Sequence, residues 1–168
     1  IYRLMINKKY LKNLRCKAIN NKNDFIFDLY NERIEDSLDV ISIKFKKILI
    51  LGDQGTKIYG YIKNRYKEAQ VKVYDIKTQF SNLDLDIIKK STIDLDFWVP
   101  QENDFDLIIS NFYLNIFEDF NKLFSKIMKS LLPNGFFLAT LPGPENFSLL
   151  RSAMMKTDMQ LYGGTYNR

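Results

Sequence analysis

The sequence contains no histidine and a single cysteine, Cys16. Without histidine the chain lacks the commonest general base and metal ligand of proteins, and one cysteine can form neither an internal disulfide nor a cysteine-based zinc cluster. Most hydrolase, zinc and thiol redox chemistries are therefore excluded. Long apolar runs are also missing: the longest, 48–51 and 136–139, fall far short of the roughly 18 residues that a membrane span needs. The sequence predicts a soluble protein.

Acidic residues are absent from the first 22 residues, although that segment is rich in lysine and arginine and the whole chain has a net charge of +5. Such a segment is compatible with a nucleic-acid arm, an organelle-targeting peptide or the solvated face of a helix. Leu4, Leu11, Leu14 and Ile19 form an approximate apolar stripe, and no aromatic stacking platform accompanies the charges. The pattern favours the helix face and argues against nucleic-acid binding.

The chain does contain an alternation of short apolar runs and amphipathic stretches. With 168 residues, 46% of them hydrophobic, it is long enough for one domain with a core. Near-helical spacing of apolar residues predicts three helices. The first covers about 25–38, the second follows Gly55, and the third runs from Phe120 to Leu132. Pro133, Asn134 and Gly135 are predicted to end the third helix.

Strands are predicted between these helices. Their expected positions are 48–51, 71–75, about 91–93, 105–112 and 136–141, with a last helix over about 145–156. Alternating strands and helices predict a mostly parallel, doubly wound sheet with right-handed crossovers.

Candidate ligand residues follow the first two strands, because ligands of doubly wound sheets lie outside the carboxyl ends of the central strands. Gly52 and Gly55 enclose the turn after the first strand, where backbone can approach a ligand and the next helix presents free N–H groups. Asp75 ends the second strand, about 20 residues later, where a carboxylate can accept hydrogen bonds from the ribose of an adenosine-containing ligand. A tight turn without a ligand and a simple capping aspartate are the alternatives.

Two further aspartates follow the presumed third strand. Asp94 or Asp96 could accept a hydrogen bond from an adenine amino group while Phe97 or Trp98 covers the ring. The alternative is a solvated loop with one buried aromatic side chain.

Polar side chains also follow the fourth strand. Ser110, Asn111 and Asn115 lie where a substrate would meet a reactive group. None of the three is a convincing general base, so the sequence offers no catalytic residue.

Several long segments carry a resemblance to a known family. They are DFIFDLYNERIEDSL at 24–38, the glycine turn, NDFDLIISNFYLNIFEDF at 103–120 and LLPNGFFLATLPGPENFSLLR at 131–151. The chain resembles class I S-adenosylmethionine (SAM)-dependent methyltransferases. Within them it is similar to the group of the mitochondrial complex I assembly factor with this fold and, more distantly, to the malonyl-acyl-carrier-protein methyltransferase of biotin synthesis.

The resemblance implies a Rossmann-like, three-layer α/β/α fold with N-terminal helices and about five of the family's seven strands. Residues 1–45 would form a basic helical segment packed on the core, and residues 46–168 a methyltransferase-like domain that is incomplete at its C-terminal end. Asp75 matches the ribose-binding acid and Asp94 the adenine-contacting acid. The implied SAM-binding residues are Gly52, Gly55, Asp75, Asp94, Ser110 and Asn111.

The sequence departs from the family's pattern at two places. The family's first motif has an acidic residue, a leucine and a Gly-x-Gly-x-Gly turn; here Ile50 takes the acidic position, and Gln54 and Thr56 take the second and third glycine positions. The His-Trp pair that relatives carry after the fourth strand is replaced by Asn115 and Ile116. The adenosine end of the implied site is therefore better preserved than the reactive end.

Two functions follow from the resemblance. The first is methyl transfer from SAM to a protein side chain or to a carboxylate on a carrier protein. The second is a catalytically degenerate domain that acts in respiratory complex I assembly, by binding a complex I subunit or in arginine hydroxylation. The expected location is the bacterial cytoplasm or, alternatively, the mitochondrial matrix.

Overall fold

A computed structural model describes residues 7, 9–11, 13–14, 25–52, 57–76, 89–92, 95–117, 119–143, 145–146 and 148–164, and for 89–92 it describes the backbone. The helices among these residues are α1 (Phe25–Asp39), α2 (Lys57–Arg65), α3 (Phe120–Ser130) and α4 (Ser148–Tyr162), with a 3₁₀ turn at Leu114–Ile116. The strands are β1 (Lys47–Leu51), β2 (Gln70–Asp75), β3 (Lys89–Thr92), β4 (Phe105–Asn111) and β5 (Leu131–Thr140).

The five strands form one parallel sheet in the order β3-β2-β1-β4-β5. β1 lies at the centre, where Leu51 pairs with Tyr74 of β2 on one side and with Ser110 of β4 on the other. The strand order reverses at β1, and ligands of such sheets bind at this switch point. The predicted doubly wound parallel sheet is confirmed.

Helices cover both faces of the sheet. Successive side chains of a strand point to opposite faces, and in β1 Ile48 and Ile50 belong to one core cluster while Leu49 and Leu51 belong to the other. The first cluster includes side chains of α1 and α2, and the second includes side chains of α3. This is the predicted three-layer arrangement.

The N-terminal helix α1 is packed on the sheet. Its Ile34 and Leu38 are buried in the first core cluster, and its last residue, Asp39, accepts hydrogen bonds from Tyr61 and Arg65 of α2. In the structure, α1 therefore lies against the core. The division of the chain at residue 45 stays a prediction, and most of the basic segment 1–22 lies outside the described residues.

The end of α3 differs from the prediction. The helix begins after Asp119, whose carboxylate accepts a hydrogen bond of 2.9 Å from the Lys122 amide. It ends at Ser130, not at 132, and β5 begins directly after it. The turn residues 133–135 lie inside β5, at an irregularity in its pairing with β4. Asn134 has a left-handed φ of 64°, which lets the strand bulge there rather than break.

The last helix, α4, starts three residues later than predicted and extends to Tyr162. Asp158 is its one buried residue, and apolar side chains such as Leu149 and Met159 are exposed. Among the described residues, no helix combines the length and the apolar character that crossing a membrane would require.

Candidate functional site

The carboxyl ends of the three central strands bring together the predicted residues Gly52, Asp75, Ser110 and Asn111. Gly52 directly follows β1, and its amide donates a hydrogen bond of 2.8 Å to the carbonyl of Tyr74 in β2. Asp75 ends β2, and Ser110 and Asn111 end β4. Gly55 lies outside the described residues, as does the rest of the 53–56 turn. Asp94, after β3, also lies outside them.

Gly52 adopts a backbone conformation that favours glycine. Its φ is +74°, and a Cβ atom placed on it would lie 2.2 Å from Cγ of Tyr113. Side chains rarely adopt such a φ, and no side chain fits within that distance. The close approach predicted for a ligand is made here by the protein's own tyrosine ring.

Tyr113 is the residue that sequence reasoning missed. Its side chain is fully buried although it follows β4 in a connecting segment. The phenol oxygen accepts a hydrogen bond of 2.7 Å from the amide of Ile76, the residue after Asp75, and its ring makes an edge contact with Phe117 at 5.3 Å between centroids. The ring therefore reaches from the end of β1 to the end of β2.

Asp75 itself has 0% exposed surface. It stands at the predicted place, at the carboxyl end of the strand next to β1. A ligand can reach this carboxylate only after neighbouring atoms have moved.

The aromatic residues expected to cover an adenine ring differ in their surroundings. Trp98 is buried in the second core cluster and makes an edge contact with Tyr74 at 5.9 Å. Phe97 is 80% exposed.

Burial raises the pKa of Tyr74 above its ordinary value, against the opposing charge of Lys72. The Tyr74 phenol therefore stays protonated at neutral pH and does not act as a base.

The two polar residues at the end of β4 have different environments. Asn111 donates to the side-chain oxygen of Asn31 at 2.6 Å and accepts from the hydroxyl of Thr140. It therefore joins α1 to β5. The hydroxyl of Ser110 is buried and, among the described residues, has no hydrogen-bond partner. It is a buried polar atom at this end of the sheet.

A separate concave surface lies at the opposite end of the sheet. This amino-end cleft has a volume of about 540 Å³ and is lined by residues 41–46 and 65–69, the segments that lead into β1 and β2. It contains Lys44, Lys46 and Lys67, all exposed. The predicted ligand residues are at the other edge.

Residues 51–139, which span the site, match the methyltransferase domain family. The chain belongs to this family. None of the curated proteins matches the chain. The methyltransferase domain begins at the last residue of β1 and ends in β5, so it includes the carboxyl ends of β1 to β4.

Solved structures share the fold of this methyltransferase domain. Phosphoethanolamine N-methyltransferase 2 of Haemonchus contortus, solved with phosphomonomethylethanolamine and S-adenosylhomocysteine (SAH), is 20% identical with a TM-score of 0.56, covering 73% of this chain and 32% of that one. A SAM-dependent methyltransferase of Mesorhizobium loti is 22% identical, with a TM-score of 0.55. The match covers 70% of this chain and 56% of the Mesorhizobium chain. The N-methyltransferase NodS of Bradyrhizobium japonicum, solved with SAH, is 16% identical, with a TM-score of 0.57. The match covers 75% of this chain and 70% of the NodS chain.

These likenesses confirm the predicted Rossmann-like methyltransferase fold. The chain spans about a third of the length of the Haemonchus protein and just over half of the Mesorhizobium protein. The cofactor of these neighbours is the one that the sequence predicts. The narrower resemblances, to the complex I assembly factor and to the malonyl-carrier methyltransferase, stay predictions.

Proposed function

We propose that this domain is a SAM-dependent methyltransferase that binds its cofactor across the carboxyl ends of β1, β2 and β4. The observation that carries the proposal is Gly52, a glycine with left-handed φ at the end of the central strand, beside the point where the strand order reverses. Family membership over residues 51–139 supports the same edge of the sheet.

The described residues at this edge of the sheet are of the kinds that would hold a nucleoside-containing cofactor. Asp75 would accept hydrogen bonds from the ribose, and a charge-assisted bond of this kind contributes about 1.5–3 kcal/mol. The Ser110 hydroxyl, buried and without a partner among the described residues, would supply a further polar contact beside β1. The ring of Tyr113 lies in front of Gly52 and would have to turn aside.

SAM, when bound, supplies an electrophilic methyl group on a sulfonium. The chain's own contribution is alignment and exclusion of water, because methyl transfer depends mainly on the geometry of the two reacting atoms. The lack of histidine is compatible with this role. As acceptor we propose a protein side chain or a carboxylate on a carrier protein, the classes that the sequence resemblance implies.

A second candidate is a domain that no longer binds the cofactor and acts by binding a protein, as in complex I assembly. Two observations favour it: Asp75 is fully buried, and the Tyr113 ring occupies the space in front of Gly52. The two candidates differ in whether any nucleoside ligand enters the crevice.

Calorimetric titration with SAH tests the proposal. We expect saturable binding that weakens by roughly 10- to 100-fold in Asp75→Asn, since a charge-assisted hydrogen bond is lost. Asp36→Asn, an exposed carboxylate on α1, is the matched control and should bind like the wild type. Absence of heat from a wild-type protein that unfolds cooperatively would favour the second candidate. An affinity unchanged in Asp75→Asn would place the ligand elsewhere.

A further inference from the structure

The side chain of Tyr113 occupies the place where a ligand would approach the central glycine. Cγ and Cδ2 of its ring lie 2.2 and 2.3 Å from the position of a Cβ on Gly52. The Tyr113 ring therefore lies directly against the α-carbon of Gly52. The tyrosine side chain itself is fully buried. A ligand atom and this ring cannot occupy the Cβ position of Gly52 at the same time.

A hydrogen bond fixes the far end of the same side chain. The Tyr113 oxygen accepts from the Ile76 amide at 2.7 Å, next to Asp75. Neighbouring strands lie about 4.8 Å apart, so a phenol that contacts Gly52 and Ile76 bridges the gap between the ends of β1 and β2. Asp75, the last residue of β2, lies beside that gap.

The residue before the tyrosine sets its direction. Phe112 has a φ of 48°, a left-handed conformation that is costly for a bulky residue. Its amide donates to Thr140 at 3.1 and 3.2 Å, and its ring contacts Phe27 and Tyr30 of α1. Packing against α1 and β5 therefore holds the bend that turns Tyr113 back over Gly52.

We propose that Tyr113 is a displaceable plug of the cofactor crevice, so that the protein binds SAM or SAH only in an open form in which the phenol has left Gly52 and Ile76. The inference rests on the proposed function, because it requires a cofactor that uses this crevice. Tyr113 then controls access to the site and sets the apparent affinity.

The plug reduces the apparent affinity in a defined way. When only a fraction of the protein is open, the apparent dissociation constant equals the intrinsic one divided by that fraction. An open form populated at 0.1–10%, the usual range for a minor conformer, weakens binding by about 10- to 1,000-fold. Removing the ring should recover this factor.

Two variants of Tyr113 separate the contribution of its ring from that of its hydroxyl oxygen, and a third variant is the control. Tyr113→Ala removes the ring, and Tyr113→Phe keeps the ring but removes the oxygen that accepts from Ile76. The matched control is Tyr66→Phe: Tyr66 is also a buried tyrosine whose oxygen accepts one hydrogen bond, from Arg65 at 3.1 Å, but it lies in the first core cluster before β2. Circular dichroism and cooperative unfolding establish that each variant is folded.

SAH binding to these proteins is measured by calorimetry and by stopped-flow mixing. We expect Tyr113→Ala to bind at least about tenfold tighter than the wild type. Tyr113→Phe should bind about fivefold tighter, the change expected from one net hydrogen bond in the closed form, and Tyr66→Phe should be unchanged. The wild-type association rate should level off at high SAH concentration, where opening limits it, and Tyr113→Ala should show no such limit.

Each other outcome overturns the plug. Equal affinities in folded wild type and Tyr113→Ala would leave the cofactor site in place and refute the plug. Weaker binding by both Tyr113 variants would make the phenol a ligand contact instead. If no folded protein of the set binds SAH, the proposed function fails and the plug fails with it. Should Tyr113→Ala not fold, the comparison of Tyr113→Phe with Tyr66→Phe decides.

Discussion

The side-chain amide of Asn111, at the carboxyl end of β4, donates a hydrogen bond of 2.6 Å to the side-chain oxygen of Asn31 in α1. Both side chains are buried. The same Asn111 accepts from the hydroxyl of Thr140 at the end of β5. One polar side chain thus joins the N-terminal helix to two strands, directly beside the bend that carries Phe112 and Tyr113.

Replacement of Asn31 by alanine should therefore destabilise the domain. The buried Asn111 amide loses its short hydrogen bond and keeps only the long contact of 3.5 Å with the Phe27 carbonyl, and a buried group left poorly paired costs about 1–3 kcal/mol. Urea denaturation measures the change in the free energy of unfolding. Asn115→Ala, at an exposed position near the same site, should change it by less than about 0.5 kcal/mol. Equal small effects of both substitutions would show that the Asn31–Asn111 bond does not hold α1 in place.

The contact between Gly52 and Tyr113 predicts a coupled pair of mutations. Gly52→Ala should cost about 2–4 kcal/mol, from the left-handed φ and from overpacking against the tyrosine ring. In a Tyr113→Ala background the same change should cost about 1–3 kcal/mol less, because the clash is gone.

Gly60→Ala is the matched glycine control for that pair. Gly60 lies in α2 with open space around it, so alanine there should be stabilising by up to about 1 kcal/mol. Additive effects of Gly52→Ala and Tyr113→Ala, measured by denaturant unfolding, would mean that the ring does not lie against Gly52.

Two fully buried serines should respond differently to alanine. The Ser130 hydroxyl donates to the Ile127 carbonyl at 2.8 Å, whereas the Ser110 hydroxyl has no partner among the described residues. Ser130→Ala should therefore lose about 1 kcal/mol of unfolding free energy, and Ser110→Ala should be neutral or more stable than the wild type. A loss in Ser110→Ala as large as that in Ser130→Ala would mean that Ser110 is hydrogen-bonded in the folded protein.

The carboxylate of Asp104 predicts a pH dependence of stability. Burial alone would raise its pKa, but hydrogen bonds from Lys72 and Lys47 outweigh burial, and the pKa is lowered from its ordinary value. A carboxyl whose pKa is lower in the folded state stabilises the fold above its ordinary pKa of about 3.9, and this stabilisation is lost as pH falls through the lowered value.

Asp104→Asn should accordingly cost about 1–3 kcal/mol at pH 7, and the difference from the wild type should shrink below about pH 4. Urea denaturation across pH 3–7 measures it. Glu102→Gln breaks an ion pair with Lys129 in which both side chains are more than half exposed, so it should have little effect at any pH. A constant penalty for Asp104→Asn across that range would contradict the lowered pKa.

The layers of the fold could be predicted from the sequence because the apolar pattern is strong. Ile48–Leu51 reads as a strand buried on both faces, and the structure buries each of those side chains. The end of α3 could not be predicted, since Pro133, Asn134 and Gly135 stop a helix in most settings. Here they lie in a bulge of β5 that depends on pairing with β4, and pairing partners are not visible in the local sequence.

The places of Gly52 and Asp75 at the ends of β1 and β2 could be predicted, but the contacts around them could not. The places of Gly52 and Asp75 follow from counting strands. The closure by Tyr113 depends on the left-handed φ of Phe112 and on its packing with Phe27 and Tyr30, more than 80 residues earlier in the chain. The available signal for Tyr113 in the sequence was an aromatic residue two positions after a strand. Ordinary core residues give the same signal.

Amide chemical shifts in isotopically labelled protein during titration with SAH test the central claim most directly. The account predicts that the largest changes fall at the carboxyl edge, on Gly52, Ile76 and Tyr113, because the ligand replaces the phenol there. Lys46 and Gln70, at the amino ends of the strands, should hardly change. Changes centred on the amino-end cleft, or an unchanged spectrum at saturating SAH, would contradict a cofactor site in front of Gly52.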